Sequence, residues 1–461
     1  MLVDTHVHLN MRHFDGDREE TVIRADRAGV REMVAIGVDS ESIDSVLKLS
    51  EDYAGIYAAV GIHPHEAEDF DEELEERVKK SLLRKKVLAV GEIGLDYYRD
   101  LSPRQTQRDV FRKQIAAALY FRKPIVIHCR EAFDDVIRIL REEGAREVGG
   151  IFHAFGGGVE EAREIYSLGF VIGIGGPVTY RNSRLPETVA SLPSSGFVLE
   201  TDCPYLPPVP YRGKRNEPAY VSLVAEKIAE IKGVARKDIA RGTEVNYRRH
   251  LHGEKDLPPS VVYSIRDSLY INPTNTCTND CVFCARRKSN NHLYGYNLDL
   301  IVEPDVNEAV GEVEKRLADG DYSEIVFCGY GEPTTRFDFV LKTAEELRKY
   351  DLPLRLNTNG QGNRINQRDI VPSLDELFDR ISISLNAPDR TGYNEVCRPD
   401  AGGDSFDAVL DFIRRSAASG MECSVTAVDY PGVDMDGCRK LVREIPGAEF
   451  RVRTYQLNPP E

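Results

Sequence analysis

The sequence predicts two α/β domains in one chain, an N-terminal (β/α)8 TIM barrel followed by a partial, open (β/α)6 barrel. Two observations predict this. Short apolar runs alternate with amphipathic helical stretches, as expected for parallel strands that are covered on both faces. A polar stretch with prolines, residues 253–262, interrupts the alternation as a linker. Because 461 residues exceed one ordinary core, we assign the two domains to residues 1–252 and 263–461.

Eight apolar runs precede the linker and six follow it. Eight strand–helix units over about 250 residues fit a closed barrel. The alternative is an open doubly wound sheet, but no glycine fingerprint follows the first run. The predicted strands of the first domain are Leu2–His8, Glu32–Val38, Ile56–His63, Val87–Asp96, Pro124–His128, Gly150–Phe155, Phe170–Gly175 and Phe197–Asp202. Those of the second domain are Val261–Ile271, Glu324–Phe327, Leu354–Asn357, Arg380–Leu385, Glu422–Val428 and Phe450–Tyr455.

Six of the ten histidines lie at the carboxyl ends of predicted strands in the first domain. His6 and His8 are two residues apart on one strand and therefore point to the same side. The carboxyl ends of barrel strands meet at one rim, where catalytic residues collect. A single histidine there is usually a hydrogen-bonded core residue, whereas a cluster with acidic partners favours a metal site. The converging residues are His6, His8, His63, His65, Glu92, His128, His153 and Asp202.

The motifs that carry these residues resemble the TatD family of metal-dependent deoxyribonucleases. They appear in order over residues 1–250 and include the Pro208–Pro218 segment. The other motifs are Asp4-Thr5-His6-Val7-His8, Gly61-Ile62-His63-Pro64-His65, Gly91-Glu92-Ile93-Gly94-Leu95-Asp96, Ile127-His128, His153-Ala154-Phe155 and Glu200-Thr201-Asp202-Cys203-Pro204-Tyr205-Leu206.

The resemblance implies two divalent cations bridged by Glu92, with Glu92 and Asp202 as the catalytic residues. One cation would be completed by His6, His8 and Asp202, and the other by His128 and His153. Asp202 would be the base for the nucleophilic water. Two adjacent cations can orient a phosphodiester and stabilise both its attacking and leaving oxygens. The mixed nitrogen and oxygen ligands do not choose among magnesium, manganese and zinc.

The resemblance also implies DNA, as single strands or strand ends, for the substrate. His63 and His65 would contact phosphate or sugar, and Arg212, Lys214 and Arg215 would hold further phosphates; an ordinary solvated loop is the alternative for these three basic residues. The rival function for the domain is a metal-dependent amidohydrolase or lactonase, since barrels of this kind host both chemistries.

Composition limits the setting in which the chain works. A net charge of −16 argues against a surface that wraps duplex nucleic acid non-specifically. Nine cysteines, an odd number in a long chain, do not suggest a secreted disulfide framework. The chain opens without a signal-peptide pattern, and no apolar run reaches the ~20 residues that span a bilayer. We therefore expect a cytoplasmic protein without a membrane partner. Its oligomeric state is left open.

Three cysteines in the second domain follow its first predicted strand. Cys277, Cys281 and Cys284 have the spacing Cys-x3-Cys-x2-Cys, so three thiolates can surround one corner of a cubane cluster. Protein-held cubanes usually take four cysteines, so a triad leaves one iron open to a small molecule. The alternatives are a redox motif and a structural zinc site completed by His292.

The triad resembles the cluster loop of radical S-adenosylmethionine (radical SAM) enzymes, of the type linked to TatD domains. Phe283 stands before the last cysteine, as in that family. The resemblance implies a [4Fe–4S] cluster, S-adenosyl-L-methionine and an external electron donor. Electron transfer from the cluster would cleave the cofactor to a 5′-deoxyadenosyl radical, while the substrate stays unassigned. The implied cofactor contacts are Gly329, Gly331, Glu332, Asn357, Ser384 and Asn386, with Tyr330 at the usual second-glycine position.

Each half of the chain carries a full set of motifs. We therefore expect two sites that act on related substrates while each domain folds and turns over independently. The rival hypothesis is that one half is a non-catalytic binding module, for example a barrel that presents nucleic acid to the radical site.

Overall fold

A computed structural model describes residues 1–254, 257–284, 292–400 and 404–455. The chain forms two compact units, of which the first begins at Met1 and the second at Leu257. The second unit thus begins within the stretch predicted as the linker. Among the described residues, no helix is both long enough and apolar enough to cross a bilayer.

The first unit is an eight-stranded parallel sheet whose strands lie in sequence order. The last strand returns to the first through a single parallel bridge between Val7 and Cys203. A hydrogen bond of 3.0 Å from the Asp202 backbone N–H to the His6 carbonyl adds to this closure. The predicted (β/α)8 barrel is confirmed. Its strands are β1 (Leu2–Val7), β2 (Val30–Gly37), β3 (Ile56–Val60), β4 (Val87–Asp96), β5 (Ile125–Arg130), β6 (Gly150–Phe152), β7 (Phe170–Ile174) and β8 (Phe197–Leu199).

Apolar side chains fill the inside of this barrel. Val3, Val126 and Val198, each near the start of its strand, pack in one cluster with Tyr247 and Leu251. The interior is therefore apolar at the amino ends of the strands, and the polar residues lie at the opposite rim. The helices are α1 (Arg18–Arg27), α2 (Ser40–Asp52), α3 (Glu72–Leu82), α4 (Arg104–Phe121), α5 (Phe133–Glu142), α6 (Val159–Ser167), α7 (Leu185–Ser191), α8 (Val221–Lys232) and α9 (Arg236–Tyr247).

The second unit is an open seven-stranded sheet of order β17-β16-β15-β14-β13-β10-β9. Strands β10 and β13–β17 are parallel and β9 is antiparallel, so the predicted partial α/β barrel is confirmed with one added edge strand. The strands are β9 (Val262–Ile265), β10 (Ser268–Ile271), β13 (Glu324–Phe327), β14 (Leu354–Thr358), β15 (Arg380–Ser384), β16 (Glu422–Asp429) and β17 (Ala448–Thr454), and a separate hairpin consists of β11 (His292–Leu293) and β12 (Tyr296–Asn297).

The prediction of one strand over Val261–Ile271 was wrong. A two-residue turn at Arg266 and Asp267 folds this segment into the β9–β10 hairpin, with Arg266 in the left-handed region at φ 55°. Glycine and asparagine, which such turns usually contain, are absent here, and Asp267 alone is a weak turn signal. The helices of this unit are α10 (Val306–Asp319), α11 (Phe337–Leu347), α12 (Gly362–Ile365), α13 (Val371–Asp375), α14 (Arg390–Cys397), α15 (Ser405–Ala417) and α16 (Met435–Arg443).

Candidate metal centre and cluster loop

A buried carboxylate, Asp4, positions the histidines of β1 beside the end of β8. Its Oδ1 accepts hydrogen bonds from the backbone N–H groups of His6 at 3.3 Å and Thr201 at 2.9 Å. Its Oδ2 accepts the Thr201 hydroxyl at 2.6 Å. The Nε2 atoms of His6 and His8 then lie 3.3 Å apart, and 3.8 and 3.4 Å from Asp202 Oδ1. Three potential metal donors, from the ends of β1 and β8, are thus brought into one cluster.

Glu92 lies at the centre of the cluster and is 3% exposed. Its Oε1 lies 2.7 Å from His128 Nδ1 and 3.0 Å from His153 Nε2. Its Oε2 lies 3.4 Å from His6 Nε2. The two oxygens of one carboxylate therefore face different histidines, which is the arrangement that a bridging ligand needs.

The distances define three overlapping groups of donors. In each group the ligand atoms lie within 4.8 Å of one another. The groups are His6, His153 and Asp202; His6, His8 and Glu92; and His63, Glu92 and His128. By distance, His63 thus joins Glu92 and His128, although the sequence suggested a substrate contact for it. This donor set of imidazole nitrogens and carboxylate oxygens fits two adjacent divalent cations.

The electrostatics of the cluster also suit cations. Burial alone would raise the pKa of Glu92, but the facing His153 and His128 hold it well below its usual range. Burial lowers the pKa of His6 to about 4, whereas Glu92, against the effect of burial, raises that of His153 to about 10. These two rings stack with centroids 3.8 Å apart. Glu92 thus favours positive charge on the imidazoles that face it, in a place where a divalent cation would supply the same compensation.

Asp96 is a site residue to which sequence reasoning gave no role. Its Oδ2 lies 3.0 Å from both His65 Nε2 and His128 Nε2. Its Oδ1 accepts the backbone N–H groups of Tyr98 and Arg99 at 3.0 and 2.7 Å. Asp96 therefore fixes the ring of His128 from the side away from Glu92. The available signal was a charged residue at the end of a fully buried strand, which requires a partner.

Glu200 is a second buried carboxylate behind the cluster. Its Oε1 accepts the Ala154 backbone N–H at 2.6 Å and lies 3.8 Å from His153 Nδ1. Burial raises the pKa of Glu200 to about 7. Gly173 makes room for it, because a Cβ there would lie 2.0 Å from Glu200 Oε2. Glu200 lies behind the ring of His153, but 3.8 Å is beyond hydrogen-bond distance, so it does not fix this ring as Asp96 fixes that of His128.

The three basic residues predicted to bind phosphate have different environments. Arg215 forms two bonds to Asp17 at 2.6 and 2.7 Å, so a structural role already accounts for it. Arg212 stacks on the Tyr180 ring at 4.3 Å, and Lys214 is exposed. Within the described part of the chain, no carboxylate forms an ion pair with Arg212 or Lys214. Only these two are free to meet a phosphate.

Two exposed aromatic rings lie on the same rim, and sequence reasoning missed both. Tyr98 is 57% exposed and stacks against the Arg130 guanidinium at 3.9 Å. Tyr205 is 46% exposed, and its ring centroid lies 6.1 Å from that of His8. The Tyr205 backbone N–H donates to the Asp202 carbonyl at 2.8 Å. Both rings are thus attached to loops that carry cluster residues.

In the second unit, the cysteine loop follows β10 and is attached to the end of α14. The backbone N–H groups of Asp280 and Val282 donate to the carbonyls of Cys397 and Val396 at 3.0 and 2.9 Å. Burial raises the pKa of the Cys277 thiol to about 12, and the nearby Glu332, Cys281 and Cys284 add to this. Three partly exposed thiols on one anchored loop fit the predicted cluster.

The alternative of a zinc site is less well supported by the geometry. His292 Nδ1 accepts the Gly295 backbone N–H at 2.9 Å inside the β11–β12 hairpin. A tetrahedral zinc ion holds its sulfur ligands about 3.8 Å apart, from Zn–S bonds of ~2.3 Å. Across the described ranges, no group of three donors closer than 4.8 Å to one another contains a cysteine.

The two glycines after β13 are required by close backbone approach to the β10 loop. A Cβ on Gly329 would lie 1.8 Å from Asn272 Oδ1, and one on Gly331 would lie 2.4 Å from the Thr274 carbonyl. The Gly331 backbone N–H donates to that carbonyl at 2.9 Å. Tyr330 packs against an aromatic cluster of β9 and β12, so a large residue is accommodated at the second-glycine position.

Glu332, the acidic residue of the motif, is bonded inside the protein. Its Oε1 accepts the hydroxyls of Thr334 and Thr358 at 2.7 and 2.8 Å. Its Oε2 accepts the Asn359 backbone N–H at 2.6 Å. Glu332 therefore fastens the loop after β13 to the end of β14.

The remaining predicted cofactor residues lie at the carboxyl ends of β14 and β15. Asn357 Oδ1 accepts a hydrogen bond from Arg355 Nη1 at 2.9 Å. Asn386 Oδ1 accepts the Val428 backbone N–H at 3.1 Å, and Ser384 ends β15. The cysteine loop follows β10 at the same edge of the sheet, where open α/β sheets bind ligands.

Comparison with known families agrees with both sets of motifs. A family model described as TatD related DNase matches residues 3–252. A model of the Radical SAM superfamily matches residues 271–445.

Individual relatives match the N-terminal part. The uncharacterized metal-dependent hydrolase YabD of Bacillus subtilis is 47% identical over 54% of this chain and 98% of its own length. The 3′-5′ ssDNA/RNA exonuclease TatD of Klebsiella pneumoniae is 31% identical over 54% of this chain and 96% of its own. The crystal structure of YjjV, a TatD homologue from Escherichia coli, superposes with a TM-score of 0.52 at 31% identity, and covers 54% of this chain and 98% of YjjV.

Proposed function

Because this chain belongs to the TatD related DNase family through residues 3–252 and carries a radical SAM domain in its second half, we propose that its N-terminal site hydrolyses phosphodiester bonds of DNA with two divalent cations. The observation that carries the proposal is Glu92, whose two oxygens face separate histidines. The relative named as a single-strand exonuclease supports cleavage from the ends of single strands.

The chain's own residues have separable tasks in this reaction. His6, His8 and Asp202 would hold one cation, and His128 and His153 the other. By distance, His63 groups with Glu92 and His128, whereas His153 groups with His6 and Asp202. Bound cations supply a hydroxide at neutral pH and stabilise the attacking and leaving oxygens. Asp202 accepts the proton of the water. Asp96 keeps the ring of His128 in place, as carboxylates do behind ligating histidines. Glu200 places a carboxyl group behind His153 without a hydrogen bond to it.

The rim offers contacts to a nucleic acid strand. Arg212 and Lys214 can pair with phosphates outside the bond that is cleaved. Tyr98 and Tyr205 present exposed faces on which unpaired bases can stack, a contact worth about 1–3 kcal/mol per base. The exposed rings favour single strands, whose bases are unpaired, over duplex, in agreement with a chain whose net charge is −16.

The test compares substrates and one variant. Metal-loaded protein is incubated with single-stranded DNA and, separately, with lactones and cyclic amides. We expect hydrolysis of DNA, reduced about 10³-fold or more in Glu92→Gln, since metal-assisted charge stabilisation supplies several kcal/mol. Glu73→Gln, an exposed glutamate on α3, is the matched control. Activity on lactones alone, or DNA cleavage unchanged in Glu92→Gln, would contradict the proposal.

We propose that the C-terminal domain binds a [4Fe–4S] cluster through Cys277, Cys281 and Cys284 and cleaves S-adenosyl-L-methionine reductively. The support is the anchored cysteine loop at the same sheet edge as Gly329 and Gly331. Anaerobic reconstitution followed by iron and sulfide analysis tests it. About four irons and four sulfides per chain are expected, whereas zinc without labile sulfide would overturn the proposal.

A further inference from the structure

The face of the C-terminal sheet that is turned away from its helices carries a polar cavity, and we propose that this cavity binds a small anionic molecule, a phosphate monoester or a carboxylate, as the substrate of the C-terminal domain. The role of this molecule as a substrate rests on the proposed radical SAM activity, whereas its binding depends on the cavity alone.

The cavity arises from strand alternation. One set of side chains on β13–β15, including Ile325, Leu356 and Ile383, packs into the helix-covered core. The alternate set faces a cavity of about 770 Å³. Volumes of about 300–1,000 Å³ are typical of small-molecule sites. The charged lining consists of Arg355, Arg380, Arg451, Arg453, Glu422 and Glu449, with Glu324 beneath them.

One side of the cavity is a fixed ion-pair network. Arg355 donates to both oxygens of Glu324, at 3.1 and 2.7 Å, and to Asn357 Oδ1 at 2.9 Å. Arg380 Nε lies 3.0 Å from Glu422 Oε2, and its Nη1 lies 3.5 Å from Glu324 Oε2. All three groups of the Arg355 guanidinium have partners, so this side forms the wall of the cavity.

The opposite side, on the edge strand β17, carries arginines that are available. Arg451 forms one ion pair, with Glu449 at 2.7 Å, and both side chains are more than 60% exposed. Such exposed pairs contribute little and can be exchanged for a ligand. Arg453 forms no ion pair within the described residues. The two arginines are two residues apart on one strand and point to the same side, which suits bidentate binding of an oxyanion.

The middle of the cavity is kept open by small side chains. Ser382, Ser424 and Thr426 occupy the inward positions of β15 and β16. A structural core would place large apolar residues there, because protein interiors pack without voids of this size. Four arginines against three glutamates leave the lining one positive charge in excess. The hydroxyls and this excess favour a polar ligand with negative charge.

The cavity adjoins the predicted cofactor residues. Asn357, which accepts the hydrogen bond from Arg355, ends its strand beside Thr358, the partner of Glu332. Arg355 on the cavity wall thus touches a predicted cofactor residue, and Ser382 in the middle of the cavity lies two residues before Ser384 on β15. The mononucleotides that the proposed N-terminal reaction releases are phosphate monoesters of suitable charge.

Binding is measured by calorimetry on the full chain in excess chelator, so that metals at the N-terminal site do not hold the probe. The probes are dAMP, deoxyadenosine, inorganic phosphate and citrate. We expect dAMP or citrate to bind more tightly than about 1 mM, and at least about tenfold more weakly to the double variant Arg451→Gln/Arg453→Gln. Arg443→Gln, an exposed arginine on α16 outside the cavity, is the matched control and should bind as the unmodified chain does.

The probes separate the two anion classes, since tighter binding of dAMP identifies a phosphate monoester and tighter binding of citrate a carboxylate. Deoxyadenosine binding as tightly as dAMP, equal binding by the double variant, or no binding of any anion would overturn the inference. Arg451→Lys/Arg453→Lys should recover part of the affinity, which a misfolded variant would not. DNA hydrolysis with added manganese should be unchanged in every variant, so failure of the proposed nuclease activity would leave the binding result standing.

Discussion

The motif residues of the two domains differ in how completely their side chains are hydrogen-bonded within the protein. In the N-terminal barrel, His6 and Glu92 face other donors, and the Nδ1 atoms of His6, His8 and His153 have no hydrogen-bond partner among the described residues. In the C-terminal sheet, Glu332 and Asn386 are bonded to threonines and backbone groups.

This difference shows what a motif match means physically. Residues of the first kind act through their own side-chain atoms, so their contacts are incomplete without a ligand. Residues of the second kind shape a loop, and the backbone of that loop is what meets a ligand. The first kind should be dispensable for folding and essential for chemistry, and the second kind should matter for stability.

The largest expected effect is at the cysteine loop, the one C-terminal motif whose side chains should act directly. Cys277→Ala should reduce bound iron and labile sulfide to background after anaerobic reconstitution, because two thiolates do not hold a cubane that normally takes at least three. Cys438→Ala, a buried thiol on α16, is the matched control and should keep its cluster. Full iron content in Cys277→Ala would show that the Cys277 thiolate does not bind the cluster.

The second effect concerns Asp96, which touches two histidines of the cluster. In Asp96→Asn an amide replaces an oxygen that faces His65 and His128, so the rings lose their fixed orientation. Metal affinity should fall about 10–100-fold, as for other groups behind ligating histidines. Metal titration followed by calorimetry gives the affinity directly, and Asp52→Asn on the exposed end of α2 serves as control. An unchanged affinity would show that Asp96 only caps its loop.

The strands and the clustering of site residues could be predicted from local sequence, whereas the partners of individual side chains could not. The strand Val87–Asp96 was predicted with both of its ends, because a long apolar run with charged residues at one end has few other interpretations. The clustering of the histidines and acidic residues at one rim was predicted because barrel topology brings strand ends together.

Partnerships between distant residues were beyond local reasoning. Nothing near Arg215 in sequence indicates Asp17, 198 positions away, and nothing near Glu332 indicates Asn359. The exposure of Tyr98 and Tyr205 likewise depends on how loops from different strands meet. Local pattern predicts which element a residue belongs to, whereas its partner is decided by the packing of the whole domain.

The third prediction sharpens the contrast between Glu332 and Glu92. The Glu332 carboxylate accepts hydrogen bonds from two threonine hydroxyls and from the Asn359 backbone N–H. In Glu332→Gln an amide takes its place, and its NH2 group can only donate. Burial raises the pKa of Glu332, so removing its charge offsets part of the stability that is lost with these hydrogen bonds. We expect a net cost of about 1–2 kcal/mol in the free energy of unfolding. Urea unfolding followed by circular dichroism should show this in one of two transitions. Glu92→Gln should leave the transition of the C-terminal unit unchanged, and destabilisation of that unit by both variants would break the comparison.

The smallest effect concerns Arg215, whose loop lies on the same rim as the metal cluster. It tests whether Arg215 stabilises this loop and does not itself bind a ligand. Arg215→Gln removes one of the two arginines that bind Asp17, while Arg24 remains 2.9 Å away. We expect a loss of about 1 kcal/mol or less, since the Asp17 side chain is 34% exposed and solvent screens the pair. Arg212→Gln, the matched control, should instead raise the KM for single-stranded DNA several-fold without changing stability.

The pH dependence of this difference identifies its cause. The side chains of Arg215 and Arg24 hold the pKa of Asp17 well below its usual range. A depressed carboxyl pKa adds stability above the unfolded value, about 4, and loses it as pH falls toward the folded value. The gap in unfolding free energy between the unmodified chain and Arg215→Gln should therefore be widest near pH 7 and narrow steadily below about pH 4. A gap that stays constant over this range would assign the effect to packing of the Arg215 side chain on Phe14, 4.6 Å away, rather than to its charge.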